Sequence, residues 1–384
     1  ENSATMQLIS GMQDIRLNNT DKVRRWEWEQ LQAGLFRLSF KSLSITQYQQ
    51  AGGFFINEGK NILITFMVAT AVVNGQLTLG AMLAIQYIIG HLNSPVEQLI
   101  GFMQQAQDAR ISLERLNEIH QMKDEEPADM TFIHRLPEDR SIRLNNLSFT
   151  YTGAGNDPVL KNIDMVIPEG KVTAIVGASG SGKTTLLKLL LKFYDHYQGE
   201  MKIGESNLKY ISPRFWRDQC GAVMQDGFIF TDTIANNIAQ SGERPDYERL
   251  IYACKVANIL SFVESLPLGF NTKIGAEGNG ISQGQKQRIQ IARAVYKDPS
   301  FIFLDEATNS LDANNEKLIL RNLEEFFRGR TVVVVAHRLS TVRNADHIIV
   351  LKDGEIVEQG LHETLAATKG YYYELVKNQL ELGN

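Results

Sequence analysis

Nine consecutive residues constrain this chain more than any others: Gly177-Ala-Ser-Gly-Ser-Gly182-Lys183-Thr184-Thr185. They follow an apolar run, Val172–Val176, and open a second one, Leu186–Leu191, so a strand leads into a glycine-rich turn and then a helix. Glycines let the backbone curl until successive N–H groups point inward, and the helix N-terminus adds positive potential. The spacing therefore predicts a phosphate cradle. Gly177, Ser179, Gly180 and Gly182 would form its wall, with Thr185 beside them. Lys183 would reach the β- and γ-phosphates, and the Thr184 hydroxyl would ligate Mg²⁺. A chance glycine-rich turn rarely carries both flanks.

A second apolar run, Phe301-Ile-Phe-Leu-Asp305-Glu306, ends in two carboxylates. At the C-terminal edge of a strand, where α/β sheets bind ligands, Asp305 would hold Mg²⁺. Glu306 would polarise the water that attacks the γ-phosphate, since positioning and charge neutralisation dominate phosphoryl transfer. Further strand candidates are Ser141–Tyr151, Thr331–Ala336 and His347–Leu351, alternating with helical stretches as in an α/β fold with a largely parallel sheet.

The front of the chain reads differently. Residues 1–46 are polar and helix-prone, followed by two apolar stretches, Ile62–Val73 and Leu79–Ile89, separated by a turn-like segment. Neither stretch alone reaches the roughly 18 apolar residues of an unambiguous membrane span. On periodicity alone, a buried helical hairpin and a pair of membrane spans both remain open. From Pro95 to Met122 the pattern is again helical. A charged segment, Lys123-Asp-Glu-Glu-Pro127, then marks a boundary, giving domains at 1–122 and 141–384 with a linker at 123–140. The chain opens on Glu1 in a polar stretch, without an initiator methionine, and reads as a piece of a longer protein.

Composition removes several classes. With 39 basic and 44 acidic residues the net charge is -5, which gives no footprint for nucleic acid. Two cysteines, Cys220 and Cys254, exclude a disulfide scaffold and a four-cysteine zinc site. Each lies in an apolar stretch, so buried spectator thiols are expected.

A third motif, Ile281-Ser282-Gln283-Gly284-Gln285-Lys286-Gln287-Arg288, leads into an alanine-rich helix. Together the three motifs resemble the nucleotide-binding domain of ABC (ATP-binding cassette) transporters, whose signature reads Leu-Ser-Gly-Gly-Gln. The resemblance runs from Ser141 to Asn384. It implies an α/β P-loop ATPase domain with a RecA-like core and a helical subdomain, preceded by long all-α transmembrane helices. It also implies MgATP hydrolysis in a dimer, a homodimer if two copies of this chain pair. Each ATP would lie between one chain's phosphate loop and its partner's signature residues Ser282, Gly284 and Gln285.

By the same resemblance, Tyr151 would stack on adenine and Gln225 would touch Mg²⁺ and relay nucleotide state. Asp312 would lie in the loop Asn309-Ser-Leu-Asp312 that crosses the interface, and His337 would contact the γ-phosphate. Residues 1–122 resemble the end of an exporter membrane domain. Gly52–Val73 and Leu79–Gly101 would be its fifth and sixth spans, in a bacterial plasma membrane with the ATPase domain in the cytoplasm. The runs from Gly280 and Asp305 are similar to bacterial peptidase-containing exporters, which implies a bacteriocin-like peptide as cargo. A lipid or drug exporter, a soluble ABC ATPase and a slow nucleotide-binding module are the alternatives.

Three positions depart from the family pattern. Gln283 replaces the first glycine of the signature pair, which puts ATP affinity or turnover in trans in doubt if that position needs a bare backbone, for positive φ or for close approach to phosphate. Asn309 stands where the family usually has serine. Glu277 falls one place later than the usual acidic residue of a segment that touches membrane-domain loops.

Overall fold

The computed structural model describes residues 2–122, 124–127, 129–153, 155–241, 244–275, 280–307, 309, 311, 313–336 and 342–382. They form two compact units, Glu1–Met122 and Lys123–Asn384.

The first unit is helical. Short helices α1 (Asn2–Ser10) and α2 (Met12–Leu17) precede α3 (Asp21–Val73) and α4 (Leu79–His120). At 53 residues α3 runs about 80 Å, far more than the roughly 30 Å hydrocarbon core of a bilayer. Helix α4 starts at Thr78, whose hydroxyl accepts from the Ala81 N–H at 3.2 Å. Gln86 donates to the Thr65 hydroxyl at 2.8 Å, pinning the two long helices as a hairpin.

No residue of α3 is buried, and Phe54, Phe55, Ile56, Phe66 and Met67 all lie exposed. No described residue of this unit covers that apolar surface, so within the unit α3 is not the buried hairpin helix that periodicity left open. Among the described residues, α3 alone is long and apolar enough to cross a membrane. Two spans were expected. Helix α4 falls short because Gln86, His91, Ser94 and Gln98 dilute its apolar run.

In the second unit a six-stranded sheet has the order β12-β11-β3-β10-β9-β6. Its strands are β3 (Val172–Gly177), β6 (Cys220–Val223), β9 (Phe301–Asp305), β10 (Thr331–Val335), β11 (His347–Lys352) and β12 (Glu355–Gly360). All pairings are parallel except β11 with β12. The central strands are apolar throughout because both faces are covered. Alternate side chains enter separate cores: Ile302, Leu304, Val332 and Val334 on one face, and Phe301, Phe303, Val333 and Val335 on the other.

Packed with the second face are α5 (Lys183–Leu190), α6 (Pro213–Gln219) and an antiparallel sheet, β2-β1-β4-β5. Its strands are β1 (Ile142–Phe149), β2 (Leu160–Ile167), β4 (Gln198–Ile203) and β5 (Ser206–Asn207). Packed with the first face are α7 (Ile234–Ala239), α8 (Tyr247–Val256), α9 (Leu260–Ser265), α10 (Gln283–Lys297) and α11 (Ala313–Phe327). A two-stranded ribbon of β7 (Asp232–Thr233) and β8 (Lys273–Ile274) lies beside α7.

Both cysteines are buried, Cys220 at the start of β6 and Cys254 in α8. Burial pushes the Cys254 thiol up to about 12 and Cys220 well above its ordinary value. Neither is a thiolate at neutral pH.

Candidate active site

The parallel strands β3, β10, β9 and β6 are neighbours, so the segments leaving their C-terminal ends share one edge of the sheet. Those segments carry Gly177–Thr185 after β3, Glu306 after β9 and Gln225 after β6.

The loop holds its shape by close backbone approach. A Cβ at Gly177 would lie 2.2 Å from the Leu351 carbonyl oxygen. Gly182 has φ +100, and a Cβ there would meet Leu160 Cδ2 at 2.7 Å. Only glycine fits either position. Gly182 is also the N-cap of α5, so the first N–H groups of that helix face the loop. Ser179 and Gly180 are exposed at the tip.

Lys183 is buried and folds back over the loop, donating to the Gly177 carbonyl at 2.9 Å and the Ala178 carbonyl at 2.8 Å. An ammonium has three donors, so one is left for an anion. Burial lowers its pKa, opposed by the nearby charges of Glu306 and Asp305.

Asp305 ends β9 and is fully buried. One carboxylate oxygen accepts from the Thr184 hydroxyl at 3.2 Å, and Oδ2 has no hydrogen-bond partner among the described residues. Burial raises its pKa, with the Glu306 charge adding to the rise and the Thr184 hydrogen bond and Lys183 opposing it. An under-compensated carboxylate beside a hydroxyl is a hard-oxygen donor set, and it fits Mg²⁺, which binds through one or two carboxylates plus substrate phosphates.

Glu306 follows directly, with φ +53. Its N–H donates to the Val335 carbonyl at 3.2 Å, and its carboxylate accepts from Asn309 Nδ2 at 2.5 Å. Gln225 lies two residues beyond β6, exposed. Tyr151 follows β1, and its hydroxyl shares a 2.9 Å hydrogen bond with the Thr185 hydroxyl. Its ring meets Phe149 and Tyr194 edge-on, with centroids at 5.0 and 5.5 Å. His337 and Asp312 lie outside the described residues, as does Glu277.

The signature residues open α10. Ser282 is its N-cap, accepting from the Gln285 N–H at 3.2 Å, while the Gln285 side chain accepts from the Ser282 N–H at 2.8 Å. This reciprocal capping box leaves Gly284 on the first turn. Gln283 is the exposed first residue of the helix and has no positive φ. Positive φ is therefore not what that position requires, since any residue can begin a helix there. Among the described residues, no hydrogen bond joins Ser282, Gly284 or Gln285 to the phosphate loop of the same chain.

Sequence reasoning gave no role to Gln287, whose side-chain amide donates to the Glu306 carbonyl at 2.9 Å. A glutamine on the buried stripe of α10, in register with Ile291 and Val295, was the available signal.

Residues 160–309 match the family described as ABC transporter. The chain is 37% identical over 354 residues to the leukotoxin translocation ATP-binding protein LktB of Mannheimia haemolytica, covering 92% of this chain and 50% of the relative. The Bibersteinia trehalosi and Mannheimia glucosida proteins of the same name match equally. The chain thus spans about half the length of the curated relatives it matches. Among solved structures, a bacterial Atm1-family ABC exporter with ATP bound aligns with a TM-score of 0.88 at 26% identity, covering 97% of this chain and 65% of the other. The chain belongs to the ABC transporter family, its second unit being an ATPase domain that works with ATP and Mg²⁺, preceded by long helices similar to those of the exporter structure it matches.

Proposed function

We propose that the chain is the ATP-hydrolysing half of an exporter that closes as a head-to-tail homodimer. The observation that carries this is the convergence of Lys183, the Thr184–Asp305 pair and Glu306 at the ends of β3 and β9, two strands separated only by β10. Asp305 and Thr184, with Gln225, would hold Mg²⁺, which supplies charge neutralisation at the phosphates. Lys183 and the N–H groups of Gly177–Thr185 bind and orient the phosphate chain, and Tyr151 offers its ring to the base. Glu306 accepts a proton from the attacking water and aims it in line, and His337 steadies the γ-phosphate. Asp312 would reach across the interface.

Ser282, Gly284 and Gln285 would meet ATP bound to the partner. Their position at a helix N-terminus supports that role. Closure over two nucleotides would move the long helices, and hydrolysis would release them. The exposed apolar surface of α3 supports a lipid bilayer around the first unit, with α4 returning as a second span. The membrane proposed is a bacterial plasma membrane, with the ATPase domain in the cytoplasm. The similarity to a leukotoxin translocation protein favours a peptide or protein cargo over a lipid or drug.

The test is ATP-dependent dimerisation of the Glu306→Gln protein in detergent, read by light scattering. A dimer that forms only with MgATP is expected, and Lys183→Ala should abolish both ATP binding and the dimer. A monomer at every ATP concentration, with binding intact, would leave only a nucleotide-binding module.

A further inference from the structure

Helix α10 begins at the signature residues and, within its second turn, touches the hydrolytic end of its own chain. Gln287 is buried, and its amide reaches the main-chain carbonyl of Glu306 at 2.9 Å. Glu306 sits at φ +53, a conformation that a residue with a side chain keeps only when its surroundings fix it. Main-chain attachments from different segments do so: the Glu306 N–H donates to the Val335 carbonyl of β10, and the Glu306 carbonyl accepts from the Asn309 N–H at 3.2 Å and from Gln287 of α10.

The rest of α10 is seated just as firmly. Arg293 donates to the Asn237 carbonyl at 2.9 Å and to the Phe228 carbonyl at 3.1 Å. Gln290 fills the space where a Cβ on Gly227 would stand, 2.3 Å from its Nε2. Contacts along its length tie Ser282 and Gln287 to one firmly seated helix, so a shift at Ser282 would reach the Glu306 backbone.

We propose that Gln287 is a positioning residue for Glu306. By holding the Glu306 carbonyl it aims the carboxylate that directs water, and it makes each chain's hydrolysis depend on how its own signature helix is seated. In the dimer that helix would rest on the partner's nucleotide, so occupancy of one site would set the glutamate of the other. The proposal rests on the role given to Glu306 above.

The experiment uses the intact protein in detergent. Gln287→Met keeps the side-chain length and removes the donor; Gln287→His returns a ring N–H. In Gln287→Met, kcat should fall about tenfold to a hundredfold while KM for ATP and ATP-dependent dimerisation stay within about twofold, and Gln287→His should recover part of the loss. If the methionine variant does not fold, Gln287→Leu tests the same lost donor.

Mixed dimers then separate this role from mere damage to the signature segment. With Glu306→Gln and Gln287→Met on the same chain, the unmodified partner should keep the activity it shows beside Glu306→Gln alone. With the two changes on opposite chains, activity should be lost. The reverse pattern, or a Gln287→Met protein that turns over normally, overturns the proposal. Loss of ATP binding together with kcat does so too. An unmodified protein that hydrolyses no MgATP takes down the proposed function along with it.

Discussion

Asp305 carries a free-energy debt that its ligand removes. Its carboxylate is fully buried, one oxygen on the Thr184 hydroxyl and Oδ2 without a hydrogen-bond partner among the described residues, and burial raises its pKa above 3.8. A carboxyl whose folded pKa is raised stabilises the fold when protonated, and that stability is lost as pH rises through the folded value. At neutral pH the charged form therefore costs stability until a cation arrives. Asp305→Asn should raise the melting temperature of the nucleotide-free protein at pH 7.5 by about 2–4 °C per kcal/mol relieved. The difference should shrink as pH falls through the raised pKa toward 3.8. Added MgATP should reverse the order, stabilising the unmodified protein more than the variant. An Asp305→Asn protein that melts lower at neutral pH without nucleotide would mean that the carboxylate is already compensated.

Helix α10 shows how one element serves two purposes, and they can be separated. Ser282 caps the helix, a job that aspartate does equally well, and in the proposed dimer it also faces the partner's phosphates. Ser282→Asp should leave the melting temperature unchanged while setting a negative charge against ATP. ATP-dependent dimerisation of the Glu306→Gln protein should then disappear; if it persists, Ser282 is a cap and nothing more. The start of this helix was legible in the sequence because a serine followed three residues later by glutamine is a local signal, as were β3, β9, β10 and β11 as unbroken apolar runs. Strands β5, β7 and β8 were not, since two residues give no period. Strand β2 alternates, but Asn162 at φ +47 and a register shift break the pattern where it begins. The link from Gln287 to Glu306 spans elements, and periodicity marks a buried side chain without naming the atom it meets.

At the scale of the whole molecule, the question is what surrounds α3 and α4. A helix of about 80 Å with no buried residue leaves Phe54, Phe66 and Met67 uncovered by the described residues of its unit. If α3 and α4 both cross the bilayer, the turn at 74–78 lies outside the cell and the far part of α4 lies inside. A Gln76→Cys protein should react with a membrane-impermeant maleimide on intact cells, and Ser112→Cys only after permeabilisation. The two natural cysteines of this chain contribute little background, because both are buried and burial holds their thiols far above neutral pH; the protein without an added cysteine sets that level. Labelling of both positions only after permeabilisation would mean that the hairpin does not cross. Labelling of both on intact cells would place the first unit outside, away from the ATP that the second unit uses. Only the split result joins an ATPase domain in the cytoplasm to a turn on the far side, the arrangement that lets closure over nucleotide act across a membrane.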